Sequence, residues 1–120
     1  MTYDEKLADR IRDALGPALP EVVEKKLFGG LAFLVGGNMA VAASGRGGLM
    51  VRLDPENYTD LLVPGAVETM VMGGRETRGW VRVTTETVED DDALIEWVER
   101  GVAYAGSLPV KQAAGRSRRK

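Results

Sequence analysis

Apolar residues recur every three to four positions over residues 4–15, "DEKLADRIRDAL", so that Leu7, Ile11, Ala14 and Leu15 share one face of a helix. Asp4 and Glu5 stand at its start, where carboxylates offset the positive end of the helix dipole, and Gly16-Pro17 ends it. The period then changes. Pro17 and Pro20 read as a linker into a short extended piece at residues 22–28. "LAFLV" and "MAVAAS", separated by Gly36-Gly37-Asn38, read as a β-hairpin, because Gly and Asn accept positive φ. After "GRGG" at 45–48, Leu49, Val51 and Leu53 alternate with Met50 and Arg52, the period of a half-buried strand.

"DPENYTDLL" offers Asp54 as an N-cap and Pro55 as a first helical residue, which predicts a helix with Leu61 and Leu62 turned to the sheet. "AVETMVM", a turn at Gly73-Gly74-Arg75 and "GWVRVTTE" make a second antiparallel pair. In its second strand Trp80, Arg82 and Thr84 should share one face, with Val81 and Val83 on the other. "DDDALIEWVERGVAYAGSL" is the strongest helical pattern: acids open it, Leu94, Trp97, Val98, Val102 and Ala105 follow helical spacing, and Pro109 stops it. The expected order is α-β-β-β-α-β-β-α, an α+β two-layer sandwich in which an antiparallel sheet of about five strands carries its helices on one face. The alternating βαβ units of a doubly wound nucleotide fold are absent.

At 120 residues the chain suits one domain, expected over residues 1–110, and can bury roughly two-thirds of its unfolded surface without staples. No apolar run approaches the ~20 residues that cross a bilayer, and the charged start "MTYDEKLADR" does not read as a secretory signal, so a cytoplasmic location without membrane contact is expected. Cysteine and histidine are both absent, which removes disulfides, thiolate nucleophiles, Cys/His zinc sites and imidazole bases together. Charge is uneven. All 18 acidic residues precede position 111, whereas "KQAAGRSRRK", residues 111–120, holds five basic residues and no acid. That tail reads as disordered, and Arg116, Arg118, Arg119 and Lys120 are candidate contacts to nucleic-acid phosphates.

The seven glycines of "KKLFGGLAFLVGGNMAVAASGRGGLMVR" raise the question of a phosphate loop. No G-x-x-x-x-G-K-[ST] string occurs, and "GRGGLM" precedes a strand instead of opening a helix, so the glycines belong to turns of a sheet. Glu89 to Asp92, "EDDD", could ligate a divalent cation through oxygen, but their place at a helix start explains them as cap and dipole compensation. No cofactor or metal site is expected, and no spacing singles out a catalytic pair among the carboxylates. The remaining constellation is Arg78, Trp80 and Arg82, which Arg52 would extend if its strand pairs nearby; such a face can hold an anion, a base or a partner protein.

The stretch from Lys25 to Leu53, with "GWVRV" and "DDALIEWVERGVAYAGSLPVK" after it, resembles the N-terminal domain of the TfoX (Sxy) family of competence regulators over roughly residues 4–111. The "LFGGLAFLVGGNMA" block is its most distinctive part. The resemblance implies a two-layer α+β fold in a stand-alone copy of that domain, without the helical second domain of full-length members, which act as positive regulators of DNA-uptake genes. It carries no catalytic residues over to these positions. The resulting expectation is a small cytoplasmic, non-enzymatic interaction module, an adaptor in transcriptional regulation, whose protein partner meets Arg52, Arg78, Trp80 and Arg82. Two alternatives stay open: a nucleic-acid-binding accessory protein that uses only its basic tail, and an enzyme built on carboxylates. Open sheet edges allow a monomer or a homodimer.

Overall fold

The Asp4 carboxylate accepts the N–H groups of Lys6 and Leu7 at 2.9 and 3.1 Å, filling donors that a helix start leaves unpaired. Helix α1 (Glu5–Leu15) follows and buries Leu7, Ala8, Ile11 and Leu15. The structure is a computed structural model and describes residues 4–16, 21–27, 29–45, 47–72 and 74–109.

Six strands come next, β1 (Val22–Leu27), β2 (Gly30–Val35), β3 (Asn38–Ala43), β4 (Leu49–Arg52), β5 (Val67–Met72) and β6 (Arg75–Val83), paired antiparallel in the order β1-β2-β3-β4-β6-β5. The β2–β3 turn shows why glycine is needed: Val35 pairs with Asn38, and Gly36 and Gly37 between them have φ of 59° and 83°. Two consecutive positive φ values give the turn whose twist matches a two-residue hairpin.

Alternation along the strands sorts side chains into rows that cross the sheet. One row runs Phe33, Val41, Val51, Val81, and the row two residues on runs Leu31, Ala43, Leu49, Val83, Val67; all nine are buried. Helix α3 (Asp91–Ser107) lies against β2, β3 and β4, and α1 packs on α3 and β3, so these rows and the inner helix faces form one core. The row between them, Lys25, Ala32, Ala42, Met50, Arg82, Glu68, points away from the helices. The two-layer α+β fold expected from the sequence is therefore the one observed.

Some details differ from the sequence reading. The extended piece after the linker is a full edge strand, β1, which brings the sheet to six strands. The helix expected after Asp54 is a single 3₁₀ turn, Thr59–Leu61. Asp54 instead closes a local turn, accepting the N–H of Glu56 and the amide of Asn57, both at 2.9 Å, and such side-chain bonds compete with helix propagation. Leu61 and Leu62 still pack, partly buried, on the core. A one-turn helix α2 (Thr85–Val88), capped by the Thr84 hydroxyl, was not foreseen. At α3 the acidic run does as expected: Asp90 caps, accepting Ala93 N–H at 3.0 Å, while Asp91 meets Arg10 of α1 at 2.8 Å. Among the described residues no three acidic side chains are grouped to hold a metal, and no helix is long and apolar enough to cross a membrane.

Strand β1 is clamped to α1 by a two-pronged bond from Arg12 to Glu24, at 2.6 and 2.8 Å. Arg12 holds the Glu24 carboxyl below its ordinary range, against a smaller opposing effect of burial. A carboxyl whose folded value is depressed contributes stability above its unfolded value, about 4.3, and loses it as pH falls through the folded value. Glu24→Gln should thus cost less than about 1 kcal/mol at neutral pH, since the pair is solvent-accessible, and should flatten the fall in stability below about pH 4.3. Denaturant melts at pH 7 and pH 3 check this; an equal cost at both would place the bond's worth elsewhere.

Candidate functional site

The sheet face turned away from the helices is apolar at its centre. Ala32, Ala42, Met50 and Met70 are buried there, and Leu34, Met39 and Trp80 pack half-buried against them. Alanine at two central positions leaves room for longer side chains around them, and unbranched methionine adapts to such a floor. Cations border it. Arg52 and Trp80 are direct partners across β4 and β6, and the Arg52 guanidinium carbon lies 5.3 Å from the Trp80 ring centroid and 5.8 Å from that of Tyr104 on α3. Both distances are in the range at which a cation is held by an aromatic face. Arg82 stands opposite Met50 and donates from Nη1 to the Gly47 carbonyl at 3.3 Å.

The fold brings Arg52, Trp80 and Arg82 to one face, with Val81 and Val83 buried on the other, whereas Thr84, expected beside Trp80 and Arg82, lies past the end of β6 and caps α2. Arg78 is placed differently. Its Nη2 donates to the Pro55 carbonyl at 2.9 Å, so it lies at the margin, over the turn that Asp54 closes. Strict alternation fails there because Gly79, with φ of 87°, interrupts the strand and the β5–β6 register shifts between Thr69 and Val71. Gly79 is required: a Cβ at this position would stand 2.7 Å from the Leu53 carbonyl oxygen.

Around the corner from Arg52, a cleft of about 400 Å³ lies between Asp54, Asn57, Tyr58 and Leu61 on one side and Arg100 and Tyr104 on the other. Its charged groups are engaged. The Glu56 N–H, helped by the Asn57 amide, holds the Asp54 carboxyl below its usual range. Arg100 stacks on Trp97 with 4.6 Å to the ring centroid and meets Glu96 at 3.7 Å.

The family model of the TfoX N-terminal domain matches residues 13–105, from the last turn of α1 through all six strands and most of α3. The chain belongs to the TfoX N-terminal domain family. No curated protein and no solved structure gives a significant match. Arg52, Arg78, Trp80 and Arg82 all fall inside the span that makes the chain a TfoX N-terminal domain, whereas Arg116, Arg118, Arg119 and Lys120 lie outside both that span and the described residues.

Sequence reasoning missed Tyr104 and the methionine floor of this TfoX N-terminal domain. Met50 carried a signal, since it alternates with Val51 as Arg52 does. Tyr104 carried none: its approach to Arg52 depends on how α3 crosses the sheet.

Proposed function

We propose that this TfoX N-terminal domain is a small cytoplasmic, non-enzymatic interaction module, an adaptor in transcriptional regulation, whose partner seats on the open sheet face around Trp80. One observation supports the reading above others: Arg52 lies 5.3 Å from the Trp80 ring centroid and 5.8 Å from that of Tyr104, at the border of the half-buried apolar ground on the sheet face turned away from the main core. Clusters of Trp and Arg on apolar ground are what carries binding energy in protein interfaces. Membership of a family named for competence regulators supports the regulatory setting.

The test is affinity capture from nuclease-treated native lysate, with wild type beside Trp80→Ala and a chain lacking residues 115–120. Trp80→Ala should lower recovery of the bound protein at least tenfold, the effect of a hot-spot loss of ~2 kcal/mol, while circular dichroism shows the sheet retained. The tail deletion should leave recovery unchanged. Full recovery with a folded Trp80→Ala protein would remove this face from the proposal, and loss of capture with the tail would favour nucleic-acid contact.

A further inference from the structure

Charge is divided between the two layers of the molecule. The segments 4–16 and 84–109, which form the helical layer, hold eleven of the 18 acidic residues and four of the 16 basic ones. The arginines of that layer are neutralised: Arg10 meets Asp91, Arg12 meets Glu24 and Asp9, and Arg100 meets Glu96. The sheet face differs. Among the described residues no carboxylate pairs with Arg52, Arg82 or Lys25, and Glu68, the one acid in their row, accepts the Gly65 N–H at 3.2 Å instead of meeting Arg82. Three cations that meet no carboxylate among the described residues therefore border an apolar floor on the reverse of an acidic layer.

Resting on the reading of this face as a partner surface, we infer that its occupant is an acidic, amphipathic peptide segment of a partner protein, with carboxylates for Arg52, Arg82 and Lys25 and a large apolar side chain for the ground between Leu34, Met39 and Trp80. Guanidinium groups pair with carboxylates through two parallel bonds; among the described residues no carboxylate meets Arg52 or Arg82, and Arg82 spends Nη1 on the Gly47 carbonyl. Methionine-lined surfaces suit amphipathic segments because they repack around the inserted residue. A second copy of this chain fits less well, since face-to-face pairing about a two-fold axis would bring the unpaired cations of both copies together. Nucleic acid fits less well too. Base stacking needs a series of aromatic rings, whereas this floor offers Trp80 among aliphatic and thioether groups, and the acidic layer behind repels a long polyanion.

Selection from a random peptide display library on the full-length protein reads the occupant's chemistry without knowing its name. Peptides are kept that bind wild type and are depleted by counter-selection on Trp80→Ala; Arg52→Glu/Arg82→Glu serves as a second, charge-reversed target. Enrichment of Asp and Glu around Leu, Phe or Trp is expected, with synthetic versions binding the charge-reversed protein at least tenfold more weakly and losing affinity as salt rises. Neutral or basic peptides that still need Trp80 would overturn the acidic occupant and leave the partner surface standing. Peptides that ignore Trp80 would overturn both, and a library that yields no binder would overturn peptide docking. A single-stranded oligonucleotide that displaces the peptides and binds more tightly, or a dimer in sedimentation that Trp80→Ala dissociates, would replace the inference with nucleic acid or self-association respectively.

Discussion

Phe33→Ala should remove about 3–5 kcal/mol of stability, the usual cost of emptying an aromatic site in a packed core. Phe33 is wholly buried at the start of the row Phe33, Val41, Val51, Val81, and it belongs to the same cluster as Leu7 and Ile11 of α1 and Leu94 and Val98 of α3. Its ring thus meets the sheet and the helical layer at once, where neighbouring side chains cannot collapse into the void without moving a helix. A domain of this size has roughly 5–15 kcal/mol in all, so the variant should keep only a fraction of its stability. The midpoint of urea unfolding should fall at an unchanged slope. Val23→Ala on the edge strand, where Val23 is 63% exposed, should change it by less than about 0.5 kcal/mol. A Phe33→Ala loss below 1 kcal/mol would mean that the core is not centred on this row.

Two glycines in one helix should respond to alanine with opposite signs. Gly101 is buried where α3 crosses β3, and a Cβ there would stand 2.5 Å from the Ala40 carbonyl oxygen and 2.8 Å from the nearer Val41 methyl. Backbone cannot yield as a side-chain tip can, so α3 must lift from the sheet. That overpacking costs typically 1–3 kcal/mol, more than the ~1 kcal/mol that alanine gains over glycine in helix propensity. Gly106, one and a half turns on, is exposed and its new Cβ would meet only a Val35 methyl at 4.0 Å. Gly106→Ala should therefore stabilise by a few tenths to ~1 kcal/mol. Thermal melts of both variants decide this, and stabilisation by Gly101→Ala would contradict the close approach of α3 to the sheet.

The sequence was most legible where a single local rule governs. Period-two alternation over Leu49 to Leu53 and over Trp80 to Val83, with glycines at the turns, sufficed for the central strands and for which side chains share a face, and it failed at Thr84, which caps α2. Asp90 and the acids after it marked the start of α3 in the same way. It was less legible where two local rules compete. Asp54-Pro55 serves a helix start and an Asx-type turn equally well, and the bonds to Glu56 and Asn57 chose the turn. Strand β1, "VVEKKL", has little alternation of its own; its pairing with β2 and the clamp from Arg12 make it a strand. For the candidate site, Arg52, Trp80 and Arg82 followed from parity, Arg78 did not because Gly79 breaks that parity, and Tyr104 required the tertiary crossing. The expectations on the basic tail lie outside the described residues.

The central claim is that the uncovered sheet face, and not the acidic helical layer, receives the partner. Hydrogen–deuterium exchange of the protein alone and in its captured complex tests it most directly, because protection maps to segments without any substitution. Slowed exchange confined to β4, β6 and the β2–β3 hairpin, with α1 and the solvent side of α3 unchanged, is the expected result. Protection on α1 and α3 with β4 and β6 unaffected would contradict it and move the interface to the helical layer.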